Sequence, residues 1–183
     1  SLYQRLRNLA LRSYLMRQSR ESNGDEKPRD HVVIVPGILG SELSSFSVDG
    51  NRECVWLNAR AMTEGALMRL RLDSDGLRQA DPGYEIRPTG VLKRVYGALM
   101  LTLARDFEVH AFAYDWRRSF RAIADDLQAY LSKNFMPGEA VHLVAHAAGG
   151  LVVRHLLQKH PDHWKTFEGK LLLLGSSNYG SLL

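Results

Sequence analysis

Residues 141–151, Val-His-Leu-Val-Ala-His-Ala-Ala-Gly-Gly-Leu, constrain the fold more than any other stretch of this chain. An apolar run ends in a turn of small residues, and a helical pattern starts directly after a glycine pair. This order matches the strand, sharp turn and helix on which a Gly-x-Ser-x-Gly pentapeptide exposes a nucleophilic serine. Gly149 and Gly150 suit the close helix–strand approach such a turn needs. The pentapeptide here is Ala145-His146-Ala147-Ala148-Gly149, so the nucleophile position holds Ala147. A methyl group cannot attack an ester.

The surrounding pattern tells what sheet the turn belongs to. His31-Val-Val-Ile-Val-Pro36 is short, β-branched and continuously apolar, which suits a strand covered on both faces. Similar runs lie at 107–114, 140–146 and 170–175. Helical periodicity fills the gaps: 91–105 (Val91, Val95, Leu99, Leu103), 119–134 (Ile123, Leu127, Leu131) and 149–160 (Leu151, Val152, Leu156). Strands alternating with helices predict right-handed crossovers and a parallel sheet. Residues 41–88 break the rhythm with Asp49-Gly50, Asp75-Gly76 and Asp81-Pro82-Gly83. An insertion of that length reads as a lid-like segment. Residues 1–30 read as a basic amphipathic helix (Leu2, Leu6, Leu9 and Met16 on one side) followed by a linker at 19–30, leaving 31–183 as the α/β part.

Composition excludes several classes. The net charge of +4 is concentrated in Arg5, Arg7, Arg12, Arg17 and Arg20, with no acid among the first twenty residues. The remainder is near neutral, so no nucleic-acid partner is expected. Cys54 is the single cysteine, which rules out an internal disulfide, and it reads as an unreactive thiol. No stretch approaches the roughly 18–20 apolar residues of a membrane span, and no signal peptide is evident. A cytoplasmic location is expected, or a peripheral one with residues 1–20 on an anionic membrane.

Ligands of open parallel sheets bind beyond the carboxyl ends of the strands. Four segments are expected to meet there: Pro36-Gly37-Ile38-Leu39-Gly40, Tyr114-Asp115-Trp116-Arg117, the turn at 145–149, and Gly175-Ser176-Ser177-Asn178-Tyr179-Gly180-Ser181. With this kind of turn the oxyanion hole uses the N–H after the nucleophile, here Ala148, and one from the early loop, with Leu39 as the candidate. Tyr114, Trp56 and Trp116 are the candidate substrate-binding residues. Asp115 is expected to pair with Arg117 in a structural role. Ser176, Ser177 and Ser181 lack the strained turn and adjacent histidine of a displaced nucleophile.

PGILGSEL at 36–43, WLN at 56–58, YDWR at 114–117, LVAHxxGGLVVR at 143–154 and LGxxNYGS at 174–181 occur in colinear order. Together they resemble the lecithin:cholesterol acyltransferase family, with lysosomal phospholipase and phospholipid:diacylglycerol acyltransferase in the wider group. The resemblance spans residues 31 to 183. It implies the N-terminal part of an α/β-hydrolase-type parallel sheet with flanking helices, a Ser–Asp–His triad, lipid acyl-ester substrates, and no metal or organic cofactor.

The departures carry equal weight. The family turn reads Ala-His-Ser-Met-Gly-Gly, whereas Ala147 and Ala148 stand here, and Ser176-Ser177 replaces the usual Thr-Pro. The triad acid and histidine follow the nucleophile in chain order. After Ala147 only Ala148–Leu183 remain, so both partners are expected to be missing. His155, His160 and His163 fall on or just after the helix behind the turn, Asp162 reads as a turn residue, and His146 as a fixed part of the turn's entry. The expectation is a lipid hydrolase or O-acyltransferase domain inactive in this form; a lipid-binding pseudoenzyme and a protein-interaction module are the alternatives. The Lys170–Gly175 run, apolar on both faces, is expected to form an exposed sheet edge prone to self-association.

Overall fold

The computed structural model describes residue 11, residues 29–76 and residues 78–180. The expected N-terminal helix lies outside these residues apart from the helical, exposed Leu11, as does Ser181. Four parallel strands form the central sheet: β1 (His31–Val35), β5 (Glu108–Ala111), β6 (Val141–His146) and β7 (Leu171–Leu174), in the order β5-β1-β6-β7. Each falls within a run anticipated from the sequence.

Side chains of β1 alternate between the two sheet faces. Val33 and Val35 pack with Ile123, Leu127 and Leu131 of helix α3 (Phe120–Asn134) and Val152, Val153 and Leu156 of helix α4 (Gly149–Lys159). Val32 and Ile34 face Tyr96, Leu99, Met100 and Leu103 of helix α2 (Lys93–Leu103). The β1-to-β5 connection travels one way across the sheet with α2 on one face. The β5-to-β6 and β6-to-β7 connections travel the other way with α3 and α4 on the opposite face. Reversing direction and face together keeps one crossover handedness.

The anticipated α2 stripe needs one correction. Val95 is 51% exposed, whereas the neighbouring Tyr96 is 4% exposed and belongs to the core. The sheet-facing row is therefore Tyr96, which is buried, with Leu99, Met100 and Leu103 partly buried, at three- and four-residue spacing.

The 41–88 region is a second sheet. Strands β2 (Ser41–Ser47), β3 (Arg52–Trp56) and β4 (Tyr84–Val91) pair antiparallel in the order β3-β2-β4, accompanied by helix α1 (Ala59–Thr63) and a 3₁₀ turn at Ala66–Leu70. Ser41-Glu-Leu-Ser-Ser-Phe-Ser looks like loop by composition, yet Ser41, Ser44 and Ser45 are buried. Each buried hydroxyl has a partner. Ser41 Oγ accepts from Tyr114 N, Ser44 Oγ bonds Thr89 Oγ1, and Ser45 Oγ accepts from Arg69 Nη1. Satisfied hydroxyls are tolerated in an interior that would otherwise exclude them.

Helix α5 (Pro161–Trp164) leads from α4 toward β7. Among the described residues β7 is an edge of its sheet, and Leu172 on it is 53% exposed. No helix among the described residues is long and apolar enough to cross a membrane.

Candidate functional site

The chain leaves β1 toward β5 on one side and leaves β6 toward β7 on the other. The carboxyl ends of β1 and β6, which lie side by side, therefore form the topological switch point where open parallel sheets bind ligands. Pro36–Gly40 follows β1, and Ala147 follows β6.

Ala147 has φ +48° and Leu39 has φ +61°, and no other non-glycine residue among those described has a positive φ. That region is sterically costly for a side chain and is held only where the surroundings fix it. The constraints are visible on both sides. Ala147 N donates to Leu174 O at 2.9 Å, tying the turn to β7. A Cβ on Gly149 would lie 2.6 Å from Val35 O and closer still to Pro36 O. Only glycine lets α4 start against the end of β1. On the loop side, a Cβ on Gly37 would meet the Ala147 methyl at 3.1 Å, so the early loop abuts the tip of the turn.

Three side chains from two segments, the end of β3 and the stretch after β5, hold this loop. Tyr114 Oη donates to Pro36 O at 2.8 Å, and Trp56 Nε1 donates to Leu39 O at 2.8 Å. Trp116 Nε1 donates to Ser41 O at 3.2 Å, and its ring meets that of Trp56 edge-on with centroids 5.3 Å apart. The three aromatics proposed as substrate contacts thus each anchor the 36–41 backbone. Tyr114 is 2% exposed and its phenol is pushed well above the ordinary range by burial, with Tyr96 adding to the shift. Trp56 and Trp116 keep part of their rings accessible.

The backbone N–H groups of Leu39 and Ala148 have no hydrogen-bond partner among the described residues. Ala148 is the N-cap of α4, where unpaired N–H groups carry the positive end of the helix dipole. The two candidate donors therefore sit on the two segments that meet at Ala147.

One residue of this site was missed in the sequence. Tyr96 on α2 reaches the switch point, where its Oη accepts from Gly37 N at 2.8 Å and lies 3.0 Å from His146 Nδ1. Burial raises its phenol pKa, with the Gly37 N–H acting in the opposite direction. Its place in the sheet-facing row of α2 was the available signal, masked by reading Val95 into that row.

Asp115 and Arg117 form a buried two-pronged pair, with Nε to Oδ1 at 2.8 Å and Nη2 to Oδ2 at 2.6 Å. Arg117 Nη1 also donates to Leu70 O and Gln79 Oε1, fixing the antiparallel region to the end of β5. Asp115 is thus built into the scaffold.

All seven histidines are described, and none is arranged as a base for Ala147. His160 pairs with Asp125, at the far end of α4, where Lys159 joins the same carboxylate. His163 bonds Ser132, and His155 lines a surface groove on α4. His31 and His110 pair with each other, and His142 pairs with Asp30. His146 is engaged by Tyr96. Asp162 is an exposed partner of Lys165. Ser176 Oγ is buried without a partner and packs against Gly150, while Ser177 is exposed. Cys54 donates to Trp56 O, and its thiol is pushed up first by burial and then by Glu42.

No protein-family model matches the chain, and no curated protein matches it.

Proposed function

We propose that this chain carries the acyl-binding part of a serine-type lipid ester hydrolase or O-acyltransferase site, silent in catalysis because Ala147 stands at the nucleophile position. The observation behind this reading is the pair of free N–H donors, Leu39 and Ala148, on the segments that meet at a strained turn residue. Preorganised donors of this kind stabilise the negative charge that builds on an acyl oxygen. Exposed Ile38 and Leu39 beside them offer apolar contact to an acyl chain. The motif resemblance to the lecithin:cholesterol acyltransferase family supports lipid acyl esters as the ligand class.

Binding and turnover separate at Ala147. Losing the nucleophile of the best-studied serine protease costs about 10⁶-fold. The hole and binding alone leave a residual of about 10³–10⁴ over water. With the adjacent His146 bonded to Tyr96 through Nδ1, a bound ester would be polarised and left intact. A second reading, a pseudoenzyme that retains lipid without transforming it, is favoured by Ala147 itself and shares the same binding site.

The test is a titration of ¹⁵N-labelled protein with decanoate and with dihexanoylphosphatidylcholine. Shifts centred on the Leu39 and Ala148 amides are expected. Shifts confined to other surfaces, or none, contradict the reading.

A further inference from the structure

We infer that Tyr96 is the positioning residue that locks the two halves of the donor site together; this rests on the acyl-binding reading above. Its hydroxyl is the one side-chain group described that bonds both the early loop, through Gly37 N, and the strand end before the turn, through His146 Nδ1. It also fills the loop's interior, because a Cβ on Gly40 would lie 2.8 Å from Tyr96 Oη. Both glycines that bracket Ile38 and Leu39 are thus held against one oxygen.

Hydrogen counting fixes the direction of the bonds. Gly37 N–H donates to Tyr96 Oη, and the tyrosine then has a single proton to give. At 4% exposure that proton needs an acceptor, and among the described residues His146 Nδ1 is the one within reach. The imidazole is therefore held as the Nε2–H tautomer, its ring set edge-on to the phenol with centroids 5.8 Å apart. A fixed His146 fixes the strand end from which Ala147 and Ala148 follow. A fixed Gly37 fixes the turn closed by Gly40 N donating to Gly37 O, which presents the Leu39 N–H. Without the hydroxyl, the loop and the turn would each keep their local bonds and lose their common reference.

The experiment compares the unmodified chain with Tyr96→Phe, which keeps the ring and removes only the hydroxyl. In the unmodified protein, NMR should find neutral His146 as the Nε2–H tautomer and the Gly37 amide protected from exchange, an observation that needs no substitution. In Tyr96→Phe the Gly37 amide should exchange about tenfold faster, as loss of one net hydrogen bond implies. His146 should become a tautomer mixture, and the Leu39 and Ala148 amides should shift while those of α3 stay in place. Decanoate affinity should fall about tenfold. An Nδ1–H tautomer in the unmodified protein would overturn the inference. So would a Tyr96→Phe chain with unchanged Leu39 and Ala148 amides and unchanged decanoate affinity. Failure of decanoate to bind the unmodified chain would instead sink the acyl-binding reading, with the tautomer and the amide shifts still deciding the role of Tyr96.

Discussion

The two ends of β1 treat their polar groups in opposite ways. At the amino end backbone and imidazole groups pair with one another. His31 N donates to Ala140 O and Glu108 N to Asp30 O, while His31 Nδ1 and His110 Nε2 share a bond at 3.1 Å under the ring of Phe135. His142 takes the Lys170 N–H on Nδ1 and bonds Asp30 through Nε2. The two ends thus differ in kind. The amino end uses its hydrogen bonds to join strands. The carboxyl end leaves two backbone donors unpaired among the described residues and holds two side-chain-bearing residues at positive φ.

The largest effect should come from the scaffold that holds the carboxyl end open. Arg117→Ala leaves the Asp115 carboxylate buried without its partner and frees the Leu70–Gln79 segment. It should cost about 3–5 kcal/mol in urea unfolding. Gly149→Ala should follow, at about 1–3 kcal/mol, because the clash is with the backbone oxygens of Val35 and Pro36 and no rotamer relieves it. A loss below 0.5 kcal/mol would mean that α4 is not pressed onto β1.

The amino end should respond to acid instead. Burial, and then the neighbouring His31, hold the His110 pKa below its ordinary value, with Glu108 opposing. A base whose folded pKa is depressed binds fewer protons folded than unfolded. Its stability contribution is therefore present above the unfolded value near pH 6.5 and lost as pH falls through the folded value. The urea midpoint should be level above pH 7 and drop below 6.5. His110→Gln should reduce that slope and leave a remainder from His163, which burial and then His160 also pull down. The smallest effect has the opposite sign. Ala147→Gly should stabilise by about 1 kcal/mol in thermal or urea unfolding, since only the turn's conformation penalises a side chain there.

The parallel strands and their helices were legible because β-branched runs buried on both faces leave a signal in the residues themselves. The antiparallel sheet was not. Its central strand carries Ser41, Ser44 and Ser45 inward, and their burial depends on partners contributed by Tyr114, Thr89 and Arg69, far away in the chain. The site divides in the same way. The glycines and the small turn announced a tight strand-to-helix junction, and the position of Leu39 after β1 nominated it as a donor. That Trp56 and Trp116 direct their indole N–H groups to the loop backbone is a tertiary fact, invisible in residue type. Tyr96 was hidden by one position of helical phase, since Val95 fits the stripe by hydrophobicity and faces solvent.

The proposal of a donor site that binds an acyl carbonyl and cannot attack it is tested by a ¹H–¹⁵N spectrum recorded while p-nitrophenyl decanoate is added. Saturable shifts of the Leu39 and Ala148 amides are expected, with no burst of p-nitrophenolate. A stoichiometric burst, or amides that stay unmoved to saturation, would contradict the proposal.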